Sequence, residues 1–311
     1  MLRSLFRTGA IFALLMLALP AVPQAQSAMG LAYDEIARVI PSDATPPPPD
    51  AFAADLTALR ANTTAPAPRK RGFFGGSRAD DSTKTAPQLG VFGAMLAPFV
   101  PGRLERHAFL NGWERVEDPI ARTATIYKCD VNQVIQLDLD RKRYRITTPS
   151  AEDGAPVRGE PSTGRYDHDT MALGEQSIAG TKTAGYASVD RFQIGVAHGT
   201  CTAGTLSAST QTYYAPIAEP RRSCPLKRPL VPPAPVSWVA REGCTPQLDA
   251  HKTGPVEPVG RLSLFHLQRI GATLAGTEAP FDFLVERGNV RALDSGAADL
   301  FAVPPGYLQD R

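Results

Sequence analysis

The chain has 311 residues, enough for one substantial core, and its 33 Lys and Arg stand against 31 Asp and Glu. Arg3 and Arg7 are the only charged side chains in residues 1–27, so the rest of the chain carries no net charge. That balance excludes a general electrostatic attraction to nucleic acid, which needs a basic excess or a basic stripe.

The first predicted element is a secretory signal peptide over residues 1–27. Arg3 and Arg7 form a positive start, Ile11 to Leu19 is apolar, and Pro20 leads to small residues around Ala25, Ser27 and Ala28. Ala25-Gln26-Ser27 fits the cleavage rule best. An uncleaved N-terminal anchor is the alternative, although the apolar run falls short of the roughly 20 residues that span a bilayer. No cysteine lies near the cut to take a lipid, and no later segment is apolar for long enough to span. The expected location is the periplasm or the exterior, with no transmembrane helix in the mature chain.

Residues 28–90 read as a flexible Pro/Ala/Gly-rich segment. Pro46 to Pro49, Ala65-Pro66-Ala67-Pro68 and Gly72 to Gly76 leave little regular apolar pattern. Two short helices are predicted within it, one over Ala32 to Ile40 and one after Asp50, where Phe52, Leu56 and Leu59 share a face. Arg69-Lys70-Arg71 reads as solvated linker, and Phe73-Phe74 as linker or docking anchor.

From about residue 91 to 311 the pattern is that of a β-rich domain. Ile126 begins a strand ending near Asp130. Ile135, Leu137 and Leu139 alternate with Gln136 and Asp138, and after Asp140 to Arg143 the alternation resumes at Tyr144 and Ile146, which predicts a hairpin. Residues 149–169 read as a polar loop. Strands are predicted over Thr181 to Val189, Arg191 to Val196 and Thr205 to Tyr214, before a Pro-rich insertion at 216–235. Arg261 to Gln268 is ambiguous between strand and helix. Phe281, Phe283 and Val285 predict a strand that turns at Arg287-Gly288-Asn289 and returns over Val290 to Leu293. The sum is a mainly β fold of seven to nine strands, a curved antiparallel sheet or half-open β-barrel, behind a disordered Pro-rich N-terminal segment.

Four cysteines, Cys129, Cys201, Cys224 and Cys244, allow two disulfides in an oxidising compartment, with three connectivities. Cys224–Cys244 across the Pro-rich insertion, with Cys129–Cys201, is the favoured pairing. Their spacing fits no redox, haem or zinc motif, so neither a metal nor a cofactor is predicted. His198-Gly199-Thr200-Cys201 could be a thiolate and its base, against a half-cystine beside a glycine turn. Tyr166-Asp167-His168-Asp169 could hold a metal or tune an imidazole. Consecutive strand residues face opposite ways, however, and a solvated loop is the competing reading. His107, His251 and His266 stand alone in sequence, and Trp113 fits a core or rim position. No common hydrolase, phosphate-loop, dinucleotide or calcium-loop motif is present, so no catalytic residue is assigned.

In outline the β-region resembles a poorly characterised family of secreted bacterial proteins related to the half-open β-barrels of lipoprotein carriers. The likeness lies in Val134 to Leu139 continuing to Lys142-Arg143-Tyr144 and in Leu173-Gly174 with Ile178-Ala179-Gly180, Thr183 and Gly185-Tyr186. It ends in Leu300-Phe301-Ala302-Val303-Pro304-Pro305-Gly306-Tyr307. The resemblance implies a curved sheet, a phenylalanine dipping into the core before a Pro-Gly-Tyr turn, and an apolar ligand such as a lipid, or an envelope protein, as partner. The expected function is therefore a non-enzymatic exported protein that binds an apolar ligand or an envelope partner. The alternatives are a secreted hydrolase using the His/Cys or Asp-His-Asp residues, and a scaffold tethered through the Pro-rich arm at 41–90.

Overall fold

The structure, a computed structural model, describes residues 30–40, 44–63, 99–100, 102–148, 162–198, 201, 203–220, 246–274, 277–278 and 281–310. The expected signal at 1–27 and the sequences Arg69-Lys70-Arg71 and Phe73-Phe74 lie outside them, as do the Pro-rich insertion from residue 221 onward, Cys224 and Cys244. The fold is mainly β: one curved sheet that does not close.

Its strands in chain order are β1 (Gly30–Ile40), β2 (Arg103–Leu110), β3 (Trp113–Asp118), β4 (Thr123–Lys128), β5 (Gln133–Asp138) and β6 (Arg143–Thr147). Then follow β7 (Thr163–Ile178), β8 (Thr181–Val196), β9 (Gly204–Ala218), β10 (Gln247–Thr253), β11 (Arg261–Leu274), β12 (Thr277–Glu278), β13 (Phe281–Leu293) and β14 (Leu308–Gln309). The order across the sheet is β10-β7-β8-β9-β11-β13-β1-β2-β3-β4-β5-β6-β14, with β12 beside β11. All neighbours are antiparallel except the two at the margins, β10 on β7 and β14 on β6. These short parallel strands cover edges that would otherwise offer open backbone groups.

The expected helix over Ala32–Ile40 is instead β1, a strand at the centre of the sheet, so the sheet begins inside the segment read as flexible. Nine of its eleven residues are buried because both faces are covered, and that erases the period-two signal. The second helix is as expected: α1 (Phe52–Thr63) buries Phe52, Leu56 and Leu59 against Ile36 and Leu104. Gly288 of β13 makes this possible, since any side chain there would run into the Phe52 ring. An ion pair from Arg38 to Asp55 ties the helix to β1.

The hairpin at 126–146 stands as β4, β5 and β6, and the ambiguous Arg261–Gln268 is strand β11. The two strands expected over 181–196 are a single one, β8. The predicted hairpin at 281–293 is likewise one unbroken strand, β13, paired with β1 on both sides of Arg287-Gly288-Asn289. What reads as a turn is a β-bulge. The register shifts between Ala32 and Asp34, Asn289 has φ 53°, and its side-chain amide donates to Asp34 at 2.8 Å. The polar loop expected at 149–169 is, from Thr163 onward, the first half of β7.

Candidate functional site: a polar row across one face of the sheet

Register decides which side chains meet. Thr170 of β7 stands opposite Ser188 of β8, Ser188 opposite Thr210 of β9, and Thr210 opposite Gln268 of β11. Alternation puts their neighbours two residues away on the same face: His168 opposite Asp190, and Thr212 opposite His266. A transverse band of polar side chains thus crosses four strands, and Ser188, Asp190, Thr212 and Gln268 are buried. Beside it, on the same face, lies an apolar cluster of Phe192, Ile194, Leu206, Ala208, Ile270, Phe281 and Phe283. Phe99 closes against Phe283 edge-on, ring centres 5.3 Å apart.

At the β7 end of the band the hydrogen bonds form a chain. Tyr166 Oη donates to Asp190 Oδ1 at 2.6 Å, and the same oxygen lies 2.7 Å from His168 Nδ1. The other ring nitrogen, Nε2, is 2.9 Å from Thr170 Oγ1. Burial, then the bond to Asp190, pushes the Tyr166 hydroxyl well above its usual range, so it stays a donor. The Asp-His-Asp motif does not converge on an ion, for the reason strand geometry gives. Asp167 pairs with Arg165 on the opposite face, and Asp169 pairs with Arg191 there. His168 turns inward to an aspartate that sequence proximity could not reveal.

The other end of the band leads to a second cluster, on β1, β2, β3 and β13. Glu35 stands directly opposite both Glu105 and Arg287, and Tyr33 opposite His107. Arg287 Nε meets Glu35 at 2.7 Å and its Nη1 donates to Ser263 Oγ at 2.6 Å. The His107 ring stacks on Tyr33 at 5.0 Å, with Nδ1 3.3 Å from Glu114 and Nε2 3.4 Å from Glu105 and 3.9 Å from Glu35. Burial opposes its charge. The bonds to Glu105 and Glu114 and the Glu35 charge outweigh that, so His107 titrates above the ordinary histidine range. Glu35, Glu105 and His107 offer ligand atoms within 4.8 Å of one another. Two of these carboxylates already meet guanidinium groups, Arg287 on Glu35 and Arg103 on Glu105, which makes the cluster an ion-pair cage around an imidazolium.

His266, between the two clusters, is buried beside the Arg287 charge, and its pKa falls to about 4, which keeps it neutral against Thr212 at 3.0 Å. His251 is exposed and 3.0 Å from Asp249. Trp113 lies at the rim, its Nε1 donating to Asp130 at 2.7 Å, with Lys128 over the ring. No described cysteine is a free thiol, so Cys201 has no thiolate to offer as a nucleophile. The backbone N–H of Cys201 donates to the His198 carbonyl at 3.2 Å. Phe301 is fully buried as expected and Tyr307 closes a turn on Pro304. Sequence reading missed Thr170, Ser188, Asp190 and Gln268. The one available signal was polar Ser188 and Asp190 sharing strand parity with apolar Phe192 and Ile194.

The sequence matches no protein-family model, and no curated protein is similar to it. Among the described residues no helix is long and apolar enough to cross a membrane.

Proposed function

We propose that the protein is exported to the cell envelope and binds a ligand with an apolar part and a polar head. The observation that carries this is the pairing, on one sheet face, of the Phe192–Phe283 apolar cluster with the adjoining row Thr170, Ser188, Thr210 and Gln268. Ser188 and Gln268 of this row are buried, and buried polar groups cost free energy unless they are satisfied, so a polar row beside an apolar cluster suits a partner of mixed chemistry. The lack of a free thiol at Cys129 and Cys201 and the signal-like N-terminus support the location, and the outline likeness to lipoprotein-carrier barrels supports a lipid-like ligand. Phe99 occupies the apolar end, so ligand entry there displaces it.

Native mass spectrometry of protein purified from the envelope fraction, followed by organic extraction, tests the reading. A co-purifying amphiphile, with binding of a fluorescent fatty acid that Gln268→Leu weakens and Phe99→Ala strengthens, is the expected result. A protein found in the cytoplasm, or one that carries nothing and ignores the probe, refutes it.

A further inference from the structure

From the chain of hydrogen bonds at the β7 end we infer a second property, a hydrolytic site for carboxylic esters with Thr170 as nucleophile. Three side chains stand in the order that nucleophilic acyl transfer requires: a hydroxyl on one imidazole nitrogen, and a carboxylate on the other. Thr170 Oγ1 is 2.9 Å from His168 Nε2, and Asp190 Oδ1 is 2.7 Å from His168 Nδ1. The carboxylate sets the tautomer, leaving Nε2 to accept the Thr170 proton, and Tyr166 fixes the carboxylate through its 2.6 Å bond. Thr170 and His168 are two residues apart on one strand, so both face the same way, and Asp190 is the direct cross-strand partner of His168.

The site differs from a buried structural network in its access. His168 keeps 23% of its side-chain surface exposed, whereas His107 in the ion-pair cage keeps none. Beyond Thr170 the strand opens to solvent at Ala172, which faces half-buried Tyr186, and Tyr186 packs edge-on to Tyr214 at 6.0 Å. This aromatic pair is a platform for an apolar acyl or aryl group. Ser188 is the direct cross-strand partner of Thr170, and its hydroxyl has the role of donor to the oxygen that gains charge.

In the first half-reaction Thr170 Oγ1 attacks the ester carbonyl carbon and its proton passes to His168 Nε2. The carbon–alkoxide bond breaks and the imidazolium protonates the departing alcohol. In the second, water loses a proton to Nε2 and its oxygen bonds to the acyl carbon. Thr170 Oγ1 then leaves and takes that proton back. The sum is ester plus water giving acid plus alcohol, with no other reactant. Thr170 and His168 are the catalytic residues; Asp190 and Tyr166 are positioning residues. The inference does not depend on the binding proposal, because a short ester needs no apolar cavity.

The test is turnover of p-nitrophenyl acetate by the purified full-length protein, with labelling by a fluorophosphonate and peptide mapping of the adduct. The expected result is an adduct on Thr170, a rate loss of about a hundredfold or more in Thr170→Ala and His168→Gln, and retained turnover in Thr170→Ser. Asp190→Asn should lower kcat with little change in KM, which a purely structural role would not do. Circular dichroism of each variant checks that it is folded. Turnover in folded Thr170→Ala equal to the parent, an adduct elsewhere, or a folded parent that neither turns over ester nor takes the label, overturns the inference.

Discussion

The two wings of the sheet solve the same problem differently. From β2 to β6 the strands are 5 to 8 residues long and follow one another directly, whereas β7, β8 and β9 have 15 or 16 residues each. In the short wing the turns do the organising. Asn111-Gly112 is a two-residue turn with positive φ at both positions, and the next three loops each end in a left-handed residue, Arg122, Asn132 and Lys142. Asp118 Oδ1 accepts from the backbone N–H groups of Ile120 and Ala121, and Asp138 repeats this with Asp140 and Arg141. Its apolar face, Ala124, Ile126, Ile135 and Leu137, packs on Phe301 from the C-terminal 3-10 turn. The long wing buries the opposite face, where the polar row interrupts the apolar one. Between them β1 and β13 are buried on both faces, which lets the chain change sides.

Deleting a core ring in either wing should have the largest effect. Phe301→Ala and Phe192→Ala are each expected to cost about 3–5 kcal/mol, read from urea denaturation midpoints. If Phe301→Ala leaves the signals of β7–β9 unchanged in hydrogen exchange, the wings open as separate units; a uniform loss of protection makes them one. At the junction, Arg287→Met strands buried Glu35 opposite Glu105 and should cost about 3–5 kcal/mol. Most of that loss should return when Glu35→Leu is added, since the penalty lies in the uncompensated charge. A double variant as unstable as the single one would show that Arg287 acts through packing instead.

His266, on β11 beside the long wing, should add an acid sensitivity. His266 is held neutral with a pKa near 4 while the unfolded chain takes up the proton near 6.5. Its contribution is therefore fully present above about pH 6.5 and lost as pH falls toward 4, on the order of 3 kcal/mol. Between pH 7 and pH 4 the stability of the parent should fall by about that amount relative to His266→Gln; parallel curves would remove His266 as the cause. The smallest effect belongs to the turns of the short wing. Asp118→Ala and Asp138→Ala should each cost about 1 kcal/mol and leave ester turnover and ligand capture untouched.

How much of this was legible follows from the same contrast. Ile135, Leu137, Tyr144 and Ile146 announce their hairpin because one face is wet and the turn chemistry is local. Ala32 to Ile40 reads as a helix because burial on both faces removes alternation, and its partners Leu284 and Leu104 lie far off in sequence. Arg287-Gly288-Asn289 carries a turn's composition, yet a bulge needs the same residues. In sequence His168 stands out for its neighbours Asp167 and Asp169, which the strand turns away from it.

The amino-acid sequence by itself determined the β character, the balance of charge and the helix at Phe52 to Leu59, since each rests on residue type and short-range period. Tertiary structure alone decided that Asp190 meets His168, that Thr170, Ser188, Thr210 and Gln268 align, and that Glu35 lies between Arg287 and His107. Those contacts depend on strand register, and register is a property of paired strands: a slip of one residue would turn every one of these side chains to the other face.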